Sequence, residues 1–270
     1  MQLFPEQSLK SVGFAVLRVL VLVYVLFGFL LYLRQDAYIF YPPMIPMEEC
    51  TDLPNAEIVA QEGTRAYYIE SGTSTKLAVI YHGNAERACD SGYLANWLPQ
   101  YGYSVLAVEY AGYAGDRSQK PSVALLLRDV EHMNALIKEK NYSELLIIGQ
   151  SIGAGFAAYH ASLASPQKLL LISPFDSLSQ LASEHYPLYP MSLMLKTELD
   201  NVANASSAEE VLIIHGVKDD VIPIARGESL YKKLPQKEKS FVIILGSGHD
   251  DVLGTKESWS AIHSFLKWPI

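Results

Sequence analysis

The chain has 270 residues, of which 50% are hydrophobic and 19% are charged, so a sizeable folded core is expected and disorder is not the default expectation. This length is enough for one large domain or two small ones. The 21 basic and 29 acidic residues give a net charge of −8, which argues against a nucleic-acid-binding surface, because such surfaces concentrate Lys and Arg. The two cysteines, Cys50 and Cys89, are too few for a disulfide framework or a zinc cage. We expect buried free thiols, with a single bridge between them as the alternative.

The N-terminal region contains a long apolar segment. After a short tail over residues 1–10, residues 11–33 read SVGFAVLRVLVLVYVLFGFLLYL and contain one charged residue, Arg18. A helix of this length spans about 34 Å, which exceeds the roughly 30 Å hydrocarbon core of a bilayer. A cleaved signal peptide usually has a shorter apolar region and a small-residue cleavage site, and neither feature is present. We therefore predict an uncleaved transmembrane anchor over residues 11–33, since a buried core helix would also carry a polar face.

The residues that flank this segment indicate its orientation. Lys10 and Arg18 lie at its N-terminal side, whereas Arg34 is accompanied by Asp36 at the other side. Because cytoplasmic flanks carry the excess of Lys and Arg, we expect a single-pass protein with a cytoplasmic N-terminus and its folded domain on the opposite side. Residues 34–55 then include four prolines and show no helical period, which predicts an extended linker that lifts the domain off the bilayer.

The folded domain is predicted over residues 56–270, where short β-branched and aliphatic segments alternate with helical ones. The first two strand segments form a polar-alternating pair joined through Glu62-Gly63, as in an antiparallel hairpin. The later strand segments are almost continuously apolar, as is typical of strands buried on both faces. This alternation predicts an α/β fold with a mostly parallel eight-stranded sheet and helices on both faces. The strand segments are EIVAQ, RAYYIES, KLAVIYH, SVLAVEY, ELLIIGQ, KLLLIS, VLIIHG and SFVIIL, and the helical ones lie near residues 86–99, 121–139, 153–164, 224–234 and 256–267.

One stretch interrupts this alternation. Residues 174–207 lie between two predicted strands and carry Pro187, Pro190, a pair of tyrosines and a cluster of methionine and leucine residues. An insertion of this composition beyond the carboxyl end of a strand predicts a small cap over a pocket. A long crossover helix with an irregular start is the alternative.

Residues 145–158, LLIIGQSIGAGFAA, match two motifs. Residues 149–153 fit the G-x-S-x-G nucleophile elbow, and residues 153–158 fit the G-x-G-x-x-A form of the dinucleotide fingerprint. In a dinucleotide site the first glycine follows the strand directly and belongs to the first βαβ unit, whereas here the fingerprint begins inside the expected helix, in the middle of the sheet. The elbow fits the position, because its flanking glycines leave room for a sharp strand-to-helix turn that presents Ser151 above the sheet.

Candidate partners for Ser151 follow two later strands. A serine hydroxyl becomes an effective nucleophile when a base accepts its proton and a carboxylate orients that base. The segment VLIIHGVKDDVIP puts Asp219 after a buried strand, and FVIILGSGHDD puts His249 after the last one. Both therefore follow carboxyl ends of strands, the edge at which open α/β sheets bind ligands. Asp220 is the alternative acid, although we expect it to cap the following turn.

Two backbone amides are candidates for stabilising the negative charge that develops on an attacked carbonyl oxygen. One is the amide of Ile152, directly after the serine. The other is the amide of Asn84 in LAVIYHGNAE, where the preceding His82-Gly83 lets the backbone turn closely after a strand. We interpret His82, and likewise His215, as structural residues, because each precedes a glycine at a strand end.

Together, the segments HGNAE, GQSIGAG, SPFDSL, LIIHGVKDDVIP and GSGHDD resemble the small, single-pass membrane-anchored α/β-hydrolases of the abhydrolase-domain type. The resemblance covers residues 38–268, including YIFYPP after the apolar segment. It implies the α/β-hydrolase fold, with Ser151, Asp219 and His249 as a catalytic triad. These relatives usually carry an Arg-Gly-Tyr-Gly-x-Ser-like loop after the fourth strand, whereas this chain reads EYAGYAGDRS, so no substrate contact is carried over from that loop.

These observations predict a membrane-anchored serine hydrolase that cleaves esters or thioesters through a covalent acyl-enzyme. The expected substrate is a small molecule, a lipid or an acylated protein with an acyl chain. No cofactor, metal ion or nucleic-acid partner is expected, and the sequence does not indicate an oligomeric state. A peptidase that uses the same triad and a non-catalytic membrane scaffold with a retained hydrolase fold are the alternatives.

Overall fold

The computed structural model describes residues 6–72, 75–140 and 142–267, and an eight-stranded β-sheet forms its centre. In chain order the strands are β1 (Glu57–Gln61), β2 (Thr64–Ile69), β3 (Lys76–Tyr81), β4 (Tyr103–Glu109), β5 (Glu144–Gln150), β6 (Lys168–Ile172), β7 (Glu210–Gly216) and β8 (Glu238–Ile244). Across the sheet their order is β1-β2-β4-β3-β5-β6-β7-β8. β2 pairs antiparallel with β1 and with β4, and every other pair is parallel. The predicted α/β fold with a mostly parallel eight-stranded sheet is confirmed.

The burial of the central strands explains why their sequences are continuously apolar. Every residue of β4 and of β6 is buried. One face of the sheet packs against helical residues such as Leu126 and Phe156, and the other face packs against Leu94, Leu98 and Ile262. Because helices cover both faces, neither side of a central strand meets water, and polar alternation is confined to the edge of the sheet.

The helices around the sheet follow the predicted segments closely, with one exception. The predicted helix near residues 86–99 is divided into two 3₁₀ turns and one short helix. The second 3₁₀ turn begins at Leu98 and has Pro99 in its first positions, where the missing proline N–H is tolerated. The helices are α1 (Glu6–Ile39), α2 (Gly92–Ala95), α3 (Val123–Lys138), α4 (Gly153–Ala164), α5 (Leu178–His185), α6 (Met191–Met194), α7 (Asn201–Ala205), α8 (Ile224–Lys233) and α9 (Lys256–Lys267).

The N-terminal helix α1 is longer than predicted and packs against the domain. Its stretch Ser11–Ile39 is long and apolar enough to cross a membrane. Residues 34–39, predicted to belong to an extended linker, are helical, and Gln35 explains the difference. Its amide nitrogen donates to the Met194 carbonyl at 3.1 Å, and its oxygen accepts the Lys196 amide at 2.8 Å. The helix is therefore fastened to the domain here, which contradicts the expectation that a linker lifts the domain away. The first five residues of the predicted tail lie outside the described residues.

The two cysteines form a disulfide bond, so the expectation of free thiols is wrong. Cys50 and Cys89 are separated by 39 residues in sequence and meet because the 3₁₀ turn Met47–Glu49 folds back onto the sheet. Met47 is buried in the same apolar cluster as Cys89, and the Met47 carbonyl accepts a hydrogen bond from the Tyr67 hydroxyl at 2.7 Å. The bridge thereby ties the segment after α1 to the apolar cluster beneath the sheet.

The insertion between β6 and β7 consists of three short helices, α5, α6 and α7, instead of one long crossover helix. Ser177 caps α5, because its side chain accepts the amide of Gln180. The buried carboxylate of Asp176 lies 3.3 Å from Arg226 and 3.0 Å from Lys233, both on α8. These ion pairs fix the start of the insertion, which we call the cap (residues 174–207), over the carboxyl ends of the strands.

Candidate active site

The serine of the G-x-S-x-G motif lies at the turn between β5 and α4. Ser151 has a φ of 55°, in the left-handed region that residues other than glycine rarely adopt, and its amide donates to the Ile172 carbonyl at 2.9 Å. A side chain at Gly149 would collide with α4, and one at Gly153 would collide with carbonyl oxygens at the end of β3. The two glycines therefore let α4 begin close against the sheet, and the strained turn holds the serine in one position.

Three of the predicted side chains form a continuous hydrogen-bonded chain. His249 Nε2 lies 2.8 Å from Ser151 Oγ, and His249 Nδ1 lies 2.8 Å from Asp219 Oδ2. Ser151 and Asp219 are buried, and 10% of the His249 side chain is exposed. In the tautomer whose proton is on Nδ1 and is donated to the carboxylate in a hydrogen bond, the lone pair of Nε2 is free to accept the serine proton. This arrangement is able to activate the hydroxyl as a nucleophile.

The environment of Asp219 keeps its carboxyl ionised. Asp219 Oδ1 accepts hydrogen bonds from the amides of Val221 at 3.1 Å and Ile222 at 2.7 Å. Burial alone would raise the pKa of this carboxyl, but hydrogen bonds from two histidines and from the Ile222 amide outweigh burial and hold the pKa well below its ordinary value. Asp220, the alternative acid, is exposed to solvent. Of the two aspartates, Asp219 alone contacts His249.

The two predicted oxyanion donors border the same cavity as the serine. Asn84 follows β3, Ile152 follows Ser151, and all three residues line that cavity. Within the described part of the chain, neither the Asn84 amide nor the Ile152 amide donates to a protein acceptor. Ile152 also begins α4 without a side-chain cap, so the positive end of the helix dipole lies beside the serine. Both amides are thus available to a substrate oxygen.

The side chain of Asn84 connects this loop to the end of the N-terminal helix. Its Oδ1 accepts the Tyr41 amide at 3.0 Å and the Tyr113 hydroxyl at 2.9 Å, and its Nδ2 donates to the Ile39 carbonyl. Tyr113 belongs to the loop in which this chain departs from the abhydrolase pattern. That loop therefore helps to hold the Asn84 side chain in place through the hydrogen bond from Tyr113.

An apolar cavity of about 460 Å³ opens beside the serine. None of the described residues around it is Asp, Glu, Lys or Arg, so it suits an uncharged, largely hydrocarbon group. The residues that border it are Leu31, Gln35, Tyr38, Ile39, Tyr41, Asn84, Ser151, Ile152, Phe175, Leu178, Leu181, Ala182, His185, Tyr186, Met191, Leu195, Val221 and Ile222. The cap and the N-terminal helix together supply most of this surface.

Known proteins resemble this chain in sequence. Residues 72–198 match the family described as serine aminopeptidase, S33. An uncharacterized protein of Mycobacterium tuberculosis is 28% identical over 246 residues, which cover 86% of this chain and 87% of the relative. An uncharacterized membrane protein of Saccharomyces cerevisiae is 27% identical over 236 residues, which cover 82% of this chain and 80% of the relative.

Solved structures share the fold. The Pyrococcus furiosus esterase Pf2001 matches with a TM-score of 0.66 at 18% identity, covering 85% of this chain and 97% of that one. The chain has the α/β-hydrolase fold. Est1E from Butyrivibrio proteoclasticus also matches, with a TM-score of 0.58 at 16% identity, covering 79% of this chain and 97% of that one.

One side chain near the site makes a contact that its interpretation as a structural residue did not include. His215 does bond to nearby backbone, since its Nε2 lies 2.9 Å from the Ile222 carbonyl, but the same nitrogen also lies 3.3 Å from Asp219 Oδ2. A side chain at Gly227 would collide with the imidazole, so that glycine makes room for it. His215 therefore orients Asp219, a role that the dipeptide His-Gly at a strand end does not reveal.

One group of potential metal ligands comes together among the described residues. It consists of Asp52, Cys89 and Asp90. The sulfur of Cys89 is already bonded to Cys50, so it is not available as a thiolate ligand. Two exposed or half-exposed carboxylates remain, and they do not form a site by themselves.

Proposed function

We propose that this α/β-hydrolase is a membrane-anchored serine hydrolase that cleaves carboxylic esters or thioesters of acyl chains. The observation that carries the proposal is the hydrogen-bonded chain Ser151–His249–Asp219, with both links at 2.8 Å and with Ser151 bordering an apolar cavity. Solved esterases with the same fold, such as Pf2001, make ester substrates the first choice.

In the proposed reaction Ser151 Oγ attacks the substrate carbonyl carbon while His249 Nε2 takes the serine proton. The carbonyl oxygen becomes negative and accepts hydrogen bonds from the amides of Asn84 and Ile152. His249 then protonates the leaving alcohol or thiol, which leaves an acyl-enzyme. Water, deprotonated by the same nitrogen, hydrolyses that ester and regenerates the serine. Asp219 keeps the imidazole in the required tautomer and stabilises its cationic form throughout.

The wall of the cavity supports an acyl chain as the group that binds. From the cap, Leu178, Leu181, Met191 and Leu195 border the cavity, and these flexible aliphatic side chains adapt to a hydrocarbon chain. Each buried substrate CH₂ contributes up to about 0.8 kcal/mol of transfer free energy. We therefore expect kcat/KM to rise with acyl length until the cavity is full.

A peptidase is the second candidate, because residues 72–198 match a family described as serine aminopeptidase. An aminopeptidase has to bind the positively charged α-amino group of its substrate. No carboxylate lies among the described residues that border the cavity. An aminopeptide would therefore bury its charge without a partner, and this favours the ester.

The disulfide bond bears on the location of the domain. Disulfides form and persist in oxidising compartments, and they are rare in the cytosol. The bridge between Cys50 and Cys89 thus supports a domain on the non-cytoplasmic side of the membrane, with the N-terminus in the cytoplasm. The membrane assignment of the yeast relative supports the anchor itself.

Labelling with a fluorophosphonate probe tests the proposed nucleophile. The purified full-length chain should be labelled, and Ser151→Ala should lose both labelling and turnover of p-nitrophenyl esters. Ser173→Ala is the matched control, because Ser173 is also buried, follows a strand end and has a positive φ of 46°. Labelling that survives in Ser151→Ala would refute the assignment.

The substrate class is tested with p-nitrophenyl esters from acetyl to decanoyl, each below its micelle concentration, alongside aminoacyl p-nitroanilides. We expect kcat/KM to increase several-fold for each two carbons at first, following the CH₂ contribution of about 0.8 kcal/mol. A monotonic fall from acetyl would contradict the acyl cavity. Faster cleavage of the anilides than of any ester would favour the peptidase.

A further inference from the structure

The tip of the cap contacts the N-terminal helix deep inside its apolar stretch. The ring of Tyr189 stacks on the ring of Tyr24, with centroids 4.6 Å apart and planes 5° from parallel, and it also contacts Phe27. A Cβ atom at Gly28 would lie 2.7 Å from the Tyr189 ring, so the glycine allows the ring to lie flat on the helix. The contact is therefore shaped for this aromatic side chain.

The polar atoms of this contact pair with one another. The Tyr24 hydroxyl donates to the Leu188 carbonyl at 2.6 Å, and the Tyr189 hydroxyl donates to the Tyr24 carbonyl at 2.9 Å. Both bonds lie at an exposed position of the protein, where water could have served equally well. Internal pairing of hydroxyls and carbonyls is what a hydrocarbon environment requires, because lipid tails offer no hydrogen-bond partner.

The outer surface of the tip is apolar. Between His185 and Lys196 the chain reads YPLYPMSLML and contains no charged residue. Leu188 is 77% exposed and Leu193 is 83% exposed, and neither borders the cavity. These two exposed leucines belong to the insertion that contacts the exposed apolar helix, and exposed apolar surface of this kind marks an interaction site.

Polar groups reappear where the chain leaves the tip. The Lys196 ammonium lies 3.4 Å from the Leu33 carbonyl and above the ring of Tyr32, and the Lys196 amide bonds to Gln35. Lysine and tyrosine are typical of the membrane–water interface. Tyr24 and Gln35 are eleven positions apart on the helix, which corresponds to about 16 Å at 1.5 Å per residue. That length is similar to the thickness of one leaflet's hydrocarbon layer, about 15 Å.

The cavity reaches into the same layer. Leu31, which lies on the membrane side of this interface, borders the cavity together with Gln35 from the helix and Met191 and Leu195 from the cap. Ser151 borders the same cavity. A hydrocarbon chain in the leaflet therefore has a continuous apolar route between α1 and the cap to the serine.

We propose that the cap tip (residues 186–195) inserts into the leaflet beside α1, so that the site takes its substrate laterally from the membrane as a lipid ester resident in the bilayer. This substrate class rests on the proposed ester hydrolysis, whereas insertion of the tip does not. The occupant of the exposed apolar surface is thus lipid acyl chains.

The depth of the tip is measured in the full-length protein in phosphatidylcholine nanodiscs. A fluorescent NBD label on Leu193→Cys should be quenched by lipids that carry a nitroxide on the acyl chain and should be insensitive to aqueous iodide. Leu245→Cys is the matched control, because Leu245 is 84% exposed but belongs to the loop after β8 and not to the cap. Its label should respond to iodide. Quenching of the residue 193 label by iodide overturns the proposal, as does shielding from both quenchers, which would indicate a protein partner.

The route is tested with two glycine variants of the same helix. Gly28→Val should displace Tyr189, whereas Gly13→Val, which has no neighbour within 4 Å, should leave the contact intact. We expect Gly28→Val to hydrolyse a fluorogenic phospholipid ester in nanodiscs at least about tenfold more slowly, which is the effect of losing roughly one buried leucine-sized contact. Turnover of soluble p-nitrophenyl acetate should stay within about twofold. A variant that loses both activities has a folding defect, and Leu188→Ser with Leu193→Ser then replaces it.

The two proposals fail in different ways. If the wild-type chain hydrolyses the soluble and the bilayer-resident ester but the tip variants match Gly13→Val on both, lateral entry is wrong and ester hydrolysis stands. If the residue 193 label lies in lipid but no ester is cleaved and no fluorophosphonate is bound, insertion stands and the ester substrate is wrong.

Discussion

Replacing Asp219 with asparagine should lower kcat for a soluble ester by about 10⁴, although the two side chains have nearly the same shape. Asp219 Oδ1 is held by the amides of Val221 and Ile222, so the asparagine oxygen will take that position. Its NH₂ group then replaces Oδ2 and faces His249 Nδ1, 2.8 Å away. A donor at this point favours the tautomer in which Nδ1 accepts and Nε2 carries the proton.

A protonated Nε2 cannot remove the proton from Ser151, which explains the size of the expected loss. At about 1.36 kcal/mol per tenfold change, a loss of 10⁴ corresponds to about 5.5 kcal/mol of transition-state stabilisation. Because the side chain is isosteric and the asparagine oxygen retains both amide bonds, the fold should be kept. Binding of substrate in the apolar cavity should also be kept, so the effect should fall on kcat and not on KM.

Asp220→Asn is the matched control, because it removes the same charge one residue away from an exposed side chain. Its kcat should stay within about twofold of the wild type, since an exposed charge is screened by solvent. The assay is initial-rate hydrolysis of p-nitrophenyl butyrate at neutral pH, with thermal unfolding of each variant recorded in parallel. A loss below tenfold for Asp219→Asn in a folded protein, or a larger loss for Asp220→Asn, would show that the reasoning about the tautomer is wrong.

Four further outcomes follow from the structure. The depressed pKa of Asp219 stabilises the fold at pH values above the ordinary aspartate pKa, and this stabilisation is lost as the pH falls below about 4. The free energy of unfolding, measured in urea, should therefore be higher for the wild type than for Asp219→Asn, and the difference should shrink as the pH falls through this range. A difference that does not change with pH would contradict this. Replacing both Cys50 and Cys89 by alanine should lower the free energy of unfolding by about 4 kcal/mol, because the disulfide bond closes a loop of 39 residues. A decrease of less than about 1 kcal/mol, measured by urea unfolding, would argue against the bond. Gly153→Ala should destabilise the fold by about 2–3 kcal/mol by calorimetry, because the new methyl meets fixed carbonyl oxygens, and an unchanged Tm would refute that packing. A chain that begins at Asp36 lacks the part of the cavity wall that α1 supplies before this residue. It should still be labelled by the fluorophosphonate, but it should lose its preference for esters of long acyl chains. An unaltered dependence of kcat/KM on acyl length would exclude a role of α1 in the cavity.

The sheet and the relative positions of its loops could be predicted because they have local sequence signals. Apolar runs such as LLII before Ser151 and VLII before His215 identify strands that are buried on both faces. Once the strands are parallel, their carboxyl ends share one edge, and this rule alone brings the loops that carry Asp219 and His249 to the loop of the serine. The chain order of the residues and the glycines of the elbow then restrict the choice of nucleophile.

The disulfide bond and the support of the acid could not be predicted in this way. Cys50 and Cys89 approach each other only because a 3₁₀ turn packs onto an apolar cluster, and no spacing rule describes such a contact. His215 reaches Asp219 across a turn of the backbone, through space that Gly227 leaves open. Both contacts depend on which surfaces of the fold pack together, and local patterns in the sequence do not indicate this.

The N-terminal helix shows the difference most clearly. Its composition determined by itself that the segment is apolar, helical and long enough to cross a bilayer, because these properties depend on each residue and its near neighbours. The tertiary structure alone decided that Gln35 bonds to the cap, that Gly28 receives Tyr189 and that Leu31 borders the cavity. The physical reason is that hydrophobicity drives burial without direction, whereas shape and hydrogen bonding select the surface against which a helix is buried.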